Sequence, residues 1–309
     1  MIAFRENVSL TQLTSYRIGG PCRYFFAAQN VAELADALRA AQEKKIKTFV
    51  LGGGTNLLAN DKGFAGLVLK TEIIFTKARG IEIEVGAGTA MADLLDFCAK
   101  KGLSGLEWAG GLPGTVGGAI RGNAGAFGGE MKDAIQAVRS LDVRTLKQIE
   151  RSNKDCRFGY RSSIFKERNG KEVIVGATLT LKKGNIKKIK NAVKEKVNYR
   201  LARHPMDYPN IGSIFKNVDV KNVSRIHLAA FKKVIKRDPM PVVPAAYIIS
   251  ETGLKGVSFG GALISPKHPN FIVNALAATS SDVKNLIGLV KGEVKKKFGI
   301  ELDEEVREL

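Results

Sequence analysis

Gly110-Gly-Leu-Pro-Gly-Thr-Val-Gly-Gly-Ala-Ile-Arg-Gly-Asn-Ala-Gly-Ala-Phe-Gly-Gly129 decides how the chain is read, because nine of its twenty residues are glycine. Pro113, Asn123 and small apolar residues are interleaved, so it is not simple repetition. Such a run cannot build a core of its own. It belongs where backbone must approach something closely or adopt positive φ. A second, shorter turn, Gly52-Gly-Gly-Thr-Asn56, lies upstream and follows directly on Lys47-Thr-Phe-Val-Leu51, a buried-strand pattern. Ahead of that strand Asn30 and Glu33 have the spacing of a capping box, and Val31, Leu34, Ala35, Leu38 and Ala41 mark one helical face. Residues 30–58 therefore read as helix, strand and glycine-rich turn, an α/β unit.

Backbone N–H groups that carry no neighbouring side chains can converge on anionic oxygens. Thr55, Asn56, Thr115 and Asn123 add side-chain donors. Either turn alone is as well explained by structure, but the two together point to a large anionic ligand such as a dinucleotide diphosphate. No GxxxxGK[ST] supports ATP or GTP hydrolysis. No GxGxxG stands between a strand and a helix, so an ordinary Rossmann site is also excluded.

Around these turns the pattern alternates between strands and helices. Leu67-Val-Leu69 and Ile81-Glu-Ile-Glu-Val85 read as strands, and Thr89 caps a helix with Met91, Leu94, Leu95 and Cys98 inward, ended by Gly102. Strand patterns return over 135–181, and the spacing predicts a helix over Ile186–Arg203 that His204-Pro205 ends. A further helix is expected over 224–236, with Leu228, Phe231, Val234 and Ile235 inward, and a short one over Ala245–Thr252. Ser280 or Ser281 is the expected cap of the last helix, which carries Val283, Leu286, Ile287, Val290, Val294 and Phe298 and closes at Gly299.

The 309 residues suit two or three packed subdomains. Lysine and arginine total 49 against 30 acidic residues, a net charge of +19, which favours phosphorylated or otherwise anionic partners. The lysines of 182–196 fall between apolar positions and read as the wet face of a helix. Cys22, Cys98 and Cys156 form no CxxC pair, and His204, His227 and His268 have no ligand spacing, so neither a disulfide framework nor a metal site is expected. The opening MIAFRENVSL lacks the apolar run of a signal peptide, and no stretch reaches 18 apolar residues. A cytoplasmic protein is expected, without membrane insertion.

Eight segments, in order, carry a resemblance. They are Thr14-Ser-Tyr-Arg-Ile-Gly-Gly20, Leu51-Gly-Gly-Gly-Thr-Asn-Leu-Leu58, Gly105-Leu-Glu-Trp-Ala-Gly-Gly-Leu-Pro-Gly-Thr-Val-Gly-Gly-Ala119, Asn123-Ala-Gly-Ala126, Tyr160-Arg161, Gly212-Ser-Ile-Phe-Lys-Asn217, Ala262 to Asn274, and Glu305-Val-Arg307. In these segments the chain resembles the UDP-N-acetylenolpyruvoylglucosamine reductases (UDP-N-acetylmuramate dehydrogenases) of bacterial peptidoglycan synthesis. The match runs from about residue 10 to the C-terminus.

The resemblance implies an α+β fold. Two FAD-binding subdomains of the vanillyl-alcohol-oxidase-like (PCMH) type would span 1–70 and 71–198. A C-terminal α/β substrate-binding domain would span 199–309, with the acidic end returning to the flavin. About fifty residues separate Arg161 from Ser213, which resembles the shorter class of the family without the tyrosine-loop insertion. Val218 to Val243 is longer than that class usually carries.

The implied reaction is NADPH-dependent reduction of UDP-N-acetylglucosamine enolpyruvate to UDP-N-acetylmuramate through non-covalent FAD; Tyr16-Arg-Ile-Gly offers no histidine for covalent attachment. NADPH reduces the flavin first, hydride then reaches C3 of the enolpyruvyl group, and the enolate at C2 is protonated. By resemblance Ser213 is the proton donor, Arg161 holds the substrate carboxylate and developing enolate, and Glu305 polarises the enolic system. A serine hydroxyl is a poor acid in water, so a charge network must assist it. Cofactor contacts fall on Gly52, Gly53, Gly54, Thr55, Asn56, Leu57, Gly110, Gly111, Pro113, Gly114, Thr115, Gly117, Gly118, Asn123, Ala124 and Gly125. Lys216 and Arg200, with Arg161, are the expected substrate contacts. Ser162 stands where relatives carry Asp or Asn, a change one step behind those contacts.

A monomer that engages no nucleic acid is expected. Two other readings compete: an FAD oxidase of the same architecture acting on another small substrate, and a basic polyanion-binding protein without redox activity. Few aromatics and glycine turns without arginine interleaving weigh against the second.

Overall fold

In the computed structural model, which describes residues 2–237 and 240–309, the Asn30 side chain accepts the Glu33 N–H at 2.9 Å and starts helix α1, Val31–Glu43. The Glu33 carboxylate reaches back to the Gln29 N–H and the Asn30 side-chain amide, one residue beyond the N–H of the usual box. Leu34, Ala37, Leu38 and Ala41 form the buried face, with Val31 and Ala35 at its edge. The helix is the crossover that lets strands Pro21–Ala28 and Thr48–Leu51 both run parallel to Phe64–Thr71, which lies between them. Arg5–Ser9 completes this four-stranded sheet at the Pro21–Ala28 edge.

A second, antiparallel sheet has the order Gln148–Ser152, Ile135–Asp142, Glu172–Thr180, Glu82–Gly86, Thr76–Arg79. Its inner residues Ile83, Val85, Val138, Ala177 and Leu179 form one core with Leu94 and Leu95 of α2, Met91–Lys100, and with Val116 and Ile120 of α3, Val116–Arg121. Two expectations change here. Ala90, not Thr89, is the N-cap of α2, because the Thr89 hydroxyl turns inward to the Phe75 carbonyl (3.2 Å). The first N–H of α2 is met instead by the Gly114 carbonyl at 3.0 Å. The glycine run is also not all loop: α3 lies within it and buries Val116, Ala119 and Ile120.

Helix α4 is a single turn, Ile164–Glu167, and helix α5, Ile186–Arg203, forms as expected, with Ile189 its single buried residue. The chain divides into two compact units, and one break falls in the last turn of this helix. The first unit comprises 1–8, 22–53 and 64–200, and the second 9–21, 54–63 and 201–309.

In the second unit, helix α8 (Ser280–Phe298) packs on a three-stranded antiparallel sheet, Ser258–Phe259, Ala262–Ile264 and Ile272–Asn274. The cap of α8 is Thr279 in a capping box with Asp282, not Ser280 or Ser281. Both serines are claimed by Asp61, which accepts the Ser280 N–H (2.8 Å) and hydroxyl (2.7 Å) and the Ser281 N–H (3.3 Å). A carboxylate there is favoured by the exposed N–H groups of the first turn.

The helix expected over 224–236 is shorter. It runs only over Arg225–Phe231 (α6); a 3-10 turn follows, and then an edge strand, Lys236–Arg237, that pairs with Pro241–Val243. Phe231 is buried, and Leu228, Val234 and Ile235 are partly so. Asp238 and Pro239, inside the long stretch 218–243, lie outside the described residues. Helix α7, Ala245–Glu251, matches its expectation.

Candidate functional site

Within the first unit the two glycine turns touch. A Cβ added to Gly53 would lie 2.7 Å from Gly114 Cα, and one on Gly52 would lie 2.9 Å from the Thr115 hydroxyl. Only side-chain-free backbone permits that approach. The 110–125 run is pinned from behind by a ladder onto Ala87–Met91: Val116 N–H to Thr89 carbonyl (2.9 Å), Gly117 N–H to Ala87 carbonyl (2.9 Å), and a bridge between Ala90 and Thr115. Thr115 caps α3 by accepting the Gly118 N–H. The run is therefore held in a fixed frame, with the N–H groups of Val116, Gly117 and Gly118 already engaged within the protein.

Asn123 is fully buried in the left-handed region (φ 42°). Its Oδ1 accepts the Lys132 N–H at 3.0 Å, and its Nδ2 donates to the Gly159 carbonyl at 2.9 Å. This side chain ties the glycine run to the turn at residues 159–162. Ala124 is held by backbone bonds at both ends, its N–H to Ala119 and its carbonyl from Met131.

Arg161 sits on that next turn, where Gly159 and Ser162 exchange both backbone bonds at 3.1 Å. Its φ of 53° is a strained choice for a side chain of this size, and such residues cluster at working sites. The guanidinium donates to the Gly125 carbonyl at 2.8 Å, and Lys166 Nζ holds the Arg161 carbonyl at 2.9 Å. Ser163 fixes the turn from the other side by donating to the Arg121 carbonyl at 2.6 Å.

Arg200, near the end of α5, joins the same frame. Its Nε donates to the Gly110 carbonyl at 2.9 Å and its guanidinium lies 5.4 Å from the Phe127 ring centre. Burial, reinforced by the charge of Arg161, pushes the Arg200 pKa down. Its Nη2 is buried with no hydrogen-bond partner among the described residues. The first unit thus gathers Gly52, Gly53, the 110–125 run, Arg161 and Arg200.

The second unit gathers the others. Gly54 takes φ 65°, and a Cβ there would strike the Leu13 carbonyl oxygen at 2.1 Å. Thr55 leads to Asn56, whose Nδ2 donates to the Glu305 carbonyl (3.2 Å) while its own carbonyl accepts the Arg307 N–H (3.2 Å). Leu57 is buried and pairs in parallel with Arg307. Burial pushes the Arg307 pKa down.

The residues 214–216 run antiparallel to 303–305. Glu305 N–H donates to the Ile214 carbonyl (2.8 Å), Lys216 N–H to the Asp303 carbonyl (2.9 Å), and Phe215 bridges Glu304. Ser213, half-buried, precedes this ladder directly after Gly212 at φ 83°. Lys216 Nζ stands 3.9 Å from the Asp303 carboxylate. Lys284, Lys291 and Lys295 of α8 pair with Glu308, Glu304 and Glu301, fastening the C-terminal segment along the helix.

Ser213 therefore adjoins the ladder that holds Glu305, whereas Arg161 belongs to the other unit. Three residues that received no role from the sequence take part in the framing: Ser163, Lys166 and Asn270. Asn270 is the most engaged, because its side-chain amide closes on Phe215 from the edge opposite the C-terminal segment. Its only local signal is a place after His268-Pro269, which announces a turn but no partner. Among the described residues no group of His, Cys, Asp and Glu could hold a metal ion, and no helix is long and apolar enough to cross a membrane.

Residues 22–146 match the FAD binding domain family, and residues 204–309 match the C-terminal domain of UDP-N-acetylenolpyruvoylglucosamine reductase. The chain is 38% identical to the UDP-N-acetylenolpyruvoylglucosamine reductase of Prochlorococcus marinus, over 99% of this chain and 98% of that protein. It is also 38% identical to the enzyme of that name from Carboxydothermus hydrogenoformans, over 98% of this chain and 93% of the relative. The crystal structure of UDP-N-acetylenolpyruvylglucosamine reductase from Thermus caldophilus matches with a TM-score of 0.78 and 29% identity, covering 99% of each chain. The architecture is thus an FAD-binding domain of the PCMH type followed by the C-terminal domain of these reductases. With relatives alike over nearly their whole length, the chain belongs to the UDP-N-acetylenolpyruvoylglucosamine reductase family.

Proposed function

We propose that Arg161, Ser213 and Glu305 carry out the step that defines this family, the reduction of UDP-N-acetylglucosamine enolpyruvate to UDP-N-acetylmuramate. The chain is an FAD-dependent oxidoreductase of peptidoglycan precursor synthesis that uses NADPH. The residues present fit FAD: two turns whose approach would not survive a Cβ offer neutral donors of the kind a diphosphate needs. Gly52 to Leu57 and Gly110 to Gly125 would hold it. When bound, the flavin supplies the electron pair for the reduction.

The chain's own groups supply the rest. Arg161 offers a planar two-donor fork to the substrate carboxylate and to the charge that develops on it as the double bond is reduced. Ser213 Oγ gives its proton to C2, and Glu305 polarises the enolic system from the adjoining strand. Lys216 and Arg200 contact the diphosphate of the sugar nucleotide; an unmet buried N–H on Arg200 suits an anionic oxygen. The observation that carries the assignment is the ladder that sets Glu305 across from Ile214, the residue after Ser213.

The domain assignment proposed here is 1–70 and 71–198 for the cofactor and 199–309 for the substrate. The chain acts as a cytoplasmic monomer, where its nucleotide-activated substrate and NADPH are at hand.

Rapid mixing of the flavin-loaded protein tests the reading. Ser213→Ala should leave flavin bleaching by NADPH intact and slow reoxidation by the enolpyruvyl sugar by roughly 10²–10⁴-fold. Normal rates in both half-reactions would show that Ser213 is not the acid.

A further inference from the structure

Ser213 has no hold of its own. Its hydroxyl makes no hydrogen bond among the described residues, and it follows a glycine in the left-handed region. Its direction must come from the backbone of Ile214 and Phe215, and that backbone is bonded on both edges. On one edge lies the C-terminal segment, through Glu305 and Asp303. On the other lies one residue, Asn270. Its carbonyl accepts the Ile214 N–H (2.8 Å), its Oδ1 accepts the Phe215 N–H (2.9 Å) and its Nδ2 donates to the Phe215 carbonyl (2.8 Å).

We propose that Asn270 is a positioning residue for Ser213: its side-chain amide stands in for a missing neighbouring strand and fixes the segment that aims the hydroxyl. This rests on reading Ser213 as the proton donor. The chemistry narrows the residue type. Meeting the N–H and C=O of one residue requires an acceptor and a donor side by side in a neutral group, which only a carboxamide supplies. Asparagine has the reach here, and it is almost fully buried, so water does not compete.

Asn270 is itself held by the turn that closes the hairpin between Ala262–Ile264 and Ile272–Asn274. The Ser265 hydroxyl accepts the Lys267 and His268 N–H groups, and Phe271 N–H donates to the His268 carbonyl (2.9 Å). A rigid hairpin is thereby connected through one amide to the strand beside the reacting proton. Preorganisation of this kind governs rate because small displacements of a reacting group are costly.

The test uses the full-length, flavin-loaded protein. Asn270→Asp keeps size and acceptor but sets a carboxylate against the Phe215 carbonyl. Reoxidation by UDP-N-acetylglucosamine enolpyruvate should slow by roughly 10- to 100-fold, with bleaching by NADPH within about twofold of normal. In a Ser213→Ala background the same change should add less than about threefold, because a residue that acts through Ser213 loses its route when Ser213 is gone.

A merely structural role would multiply the two losses and would slow both half-reactions; either result overturns the proposal, as does an unchanged reoxidation rate in Asn270→Asp. Amide hydrogen exchange on the unsubstituted protein needs no variant to fold: Phe215 N–H should be strongly protected, and rapid exchange there removes the clamp. If Ser213→Ala itself leaves reoxidation unaffected, the reading of Ser213 fails, while the exchange measurement still reports on the clamp alone.

Discussion

Replacing Gly53 by alanine tests the cofactor cradle directly. The new methyl carbon would lie 2.7 Å from Gly114 Cα and 3.3 Å from both the Gly114 carbonyl carbon and the Thr115 nitrogen. Ordinary contact begins at 3.4 Å, so one turn must withdraw by about 0.7 Å. The 114–117 side cannot give easily, because the Gly114 carbonyl caps α2 and Val116 and Gly117 are bonded to Thr89 and Ala87. Overpacking of this kind costs about 1–3 kcal/mol. If the two turns must close together on the diphosphate, that cost falls on the bound state and weakens FAD binding by about 5- to 150-fold. Titration of flavin-stripped protein with FAD, followed by flavin fluorescence, measures it. Gly288→Ala is the matched control, on the exposed face of α8 with nothing within 4 Å of the new methyl. If Gly53→Ala folds normally and binds FAD within about twofold of the unsubstituted chain, the two turns are not the cradle.

Glu172 gives a stability prediction. Its fully buried side-chain carboxylate is bonded by Arg151 (2.6 Å), Arg168 and Ser140 (2.9 Å), so Glu172→Ala should cost about 1–3 kcal/mol in urea denaturation; the two guanidinium groups it leaves are partly exposed and water meets them. Burial raises its pKa, but the hydrogen bonds from Arg151, Ser140 and Arg168 outweigh burial and hold it below the usual range. The stabilisation it gives is therefore complete above about pH 4.3 and is lost as pH falls through the lowered value. His268, against the His204 and Phe271 rings, is pushed down to about 4, mainly by burial and further by Lys236. Its unfolded form protonates near 6.5, so stability should decline from about pH 6.5 toward 4, and His268→Phe should flatten that slope in denaturation series at several pH values. Burial pushes the thiols of Cys98 and Cys156 up to about 12 and about 11 and raises Cys22 as well. A thiol-reactive dye at pH 8 should label none of them in the native protein and all three after unfolding.

What the sequence disclosed were features whose cause is local. Asn30 and Glu33 stand three apart and cap α1 for that reason, and the spacing of Val283 to Phe298 carries the core face of α8. Glycine turns are legible too, since a missing side chain is visible residue by residue. The misread ends have distant causes. Ser280 and Ser281 look like caps until Asp61, more than two hundred positions away, takes both. Thr89 looks like a cap until its hydroxyl turns to Phe75. Lys232–Arg237 continues a helical spacing, yet pairing with Pro241–Val243 draws its end into a strand. At the site the same rule holds: Asn123 and Asn270 bond partners 36 and 55 positions away, and no spacing announces either.

The proposed division of labour among these residues follows from the charges they would meet. A diphosphate that stays in place is well served by neutral N–H groups, which need no counter-ion when the ligand leaves. A substrate that comes and goes, and gains charge as it reacts, calls for cations held ready. Arg200 shows what that readiness entails. It is buried, its pKa is depressed by burial and by Arg161, and one N–H lacks a partner among the described residues. Two guanidinium groups near one another with an unmet donor are unfavourable alone and favourable around an anion, because the same desolvation that penalises the charge strengthens its interaction when one arrives. If Arg200 meets the substrate as proposed, burial there raises the affinity for an anion instead of adding to the stability of the fold.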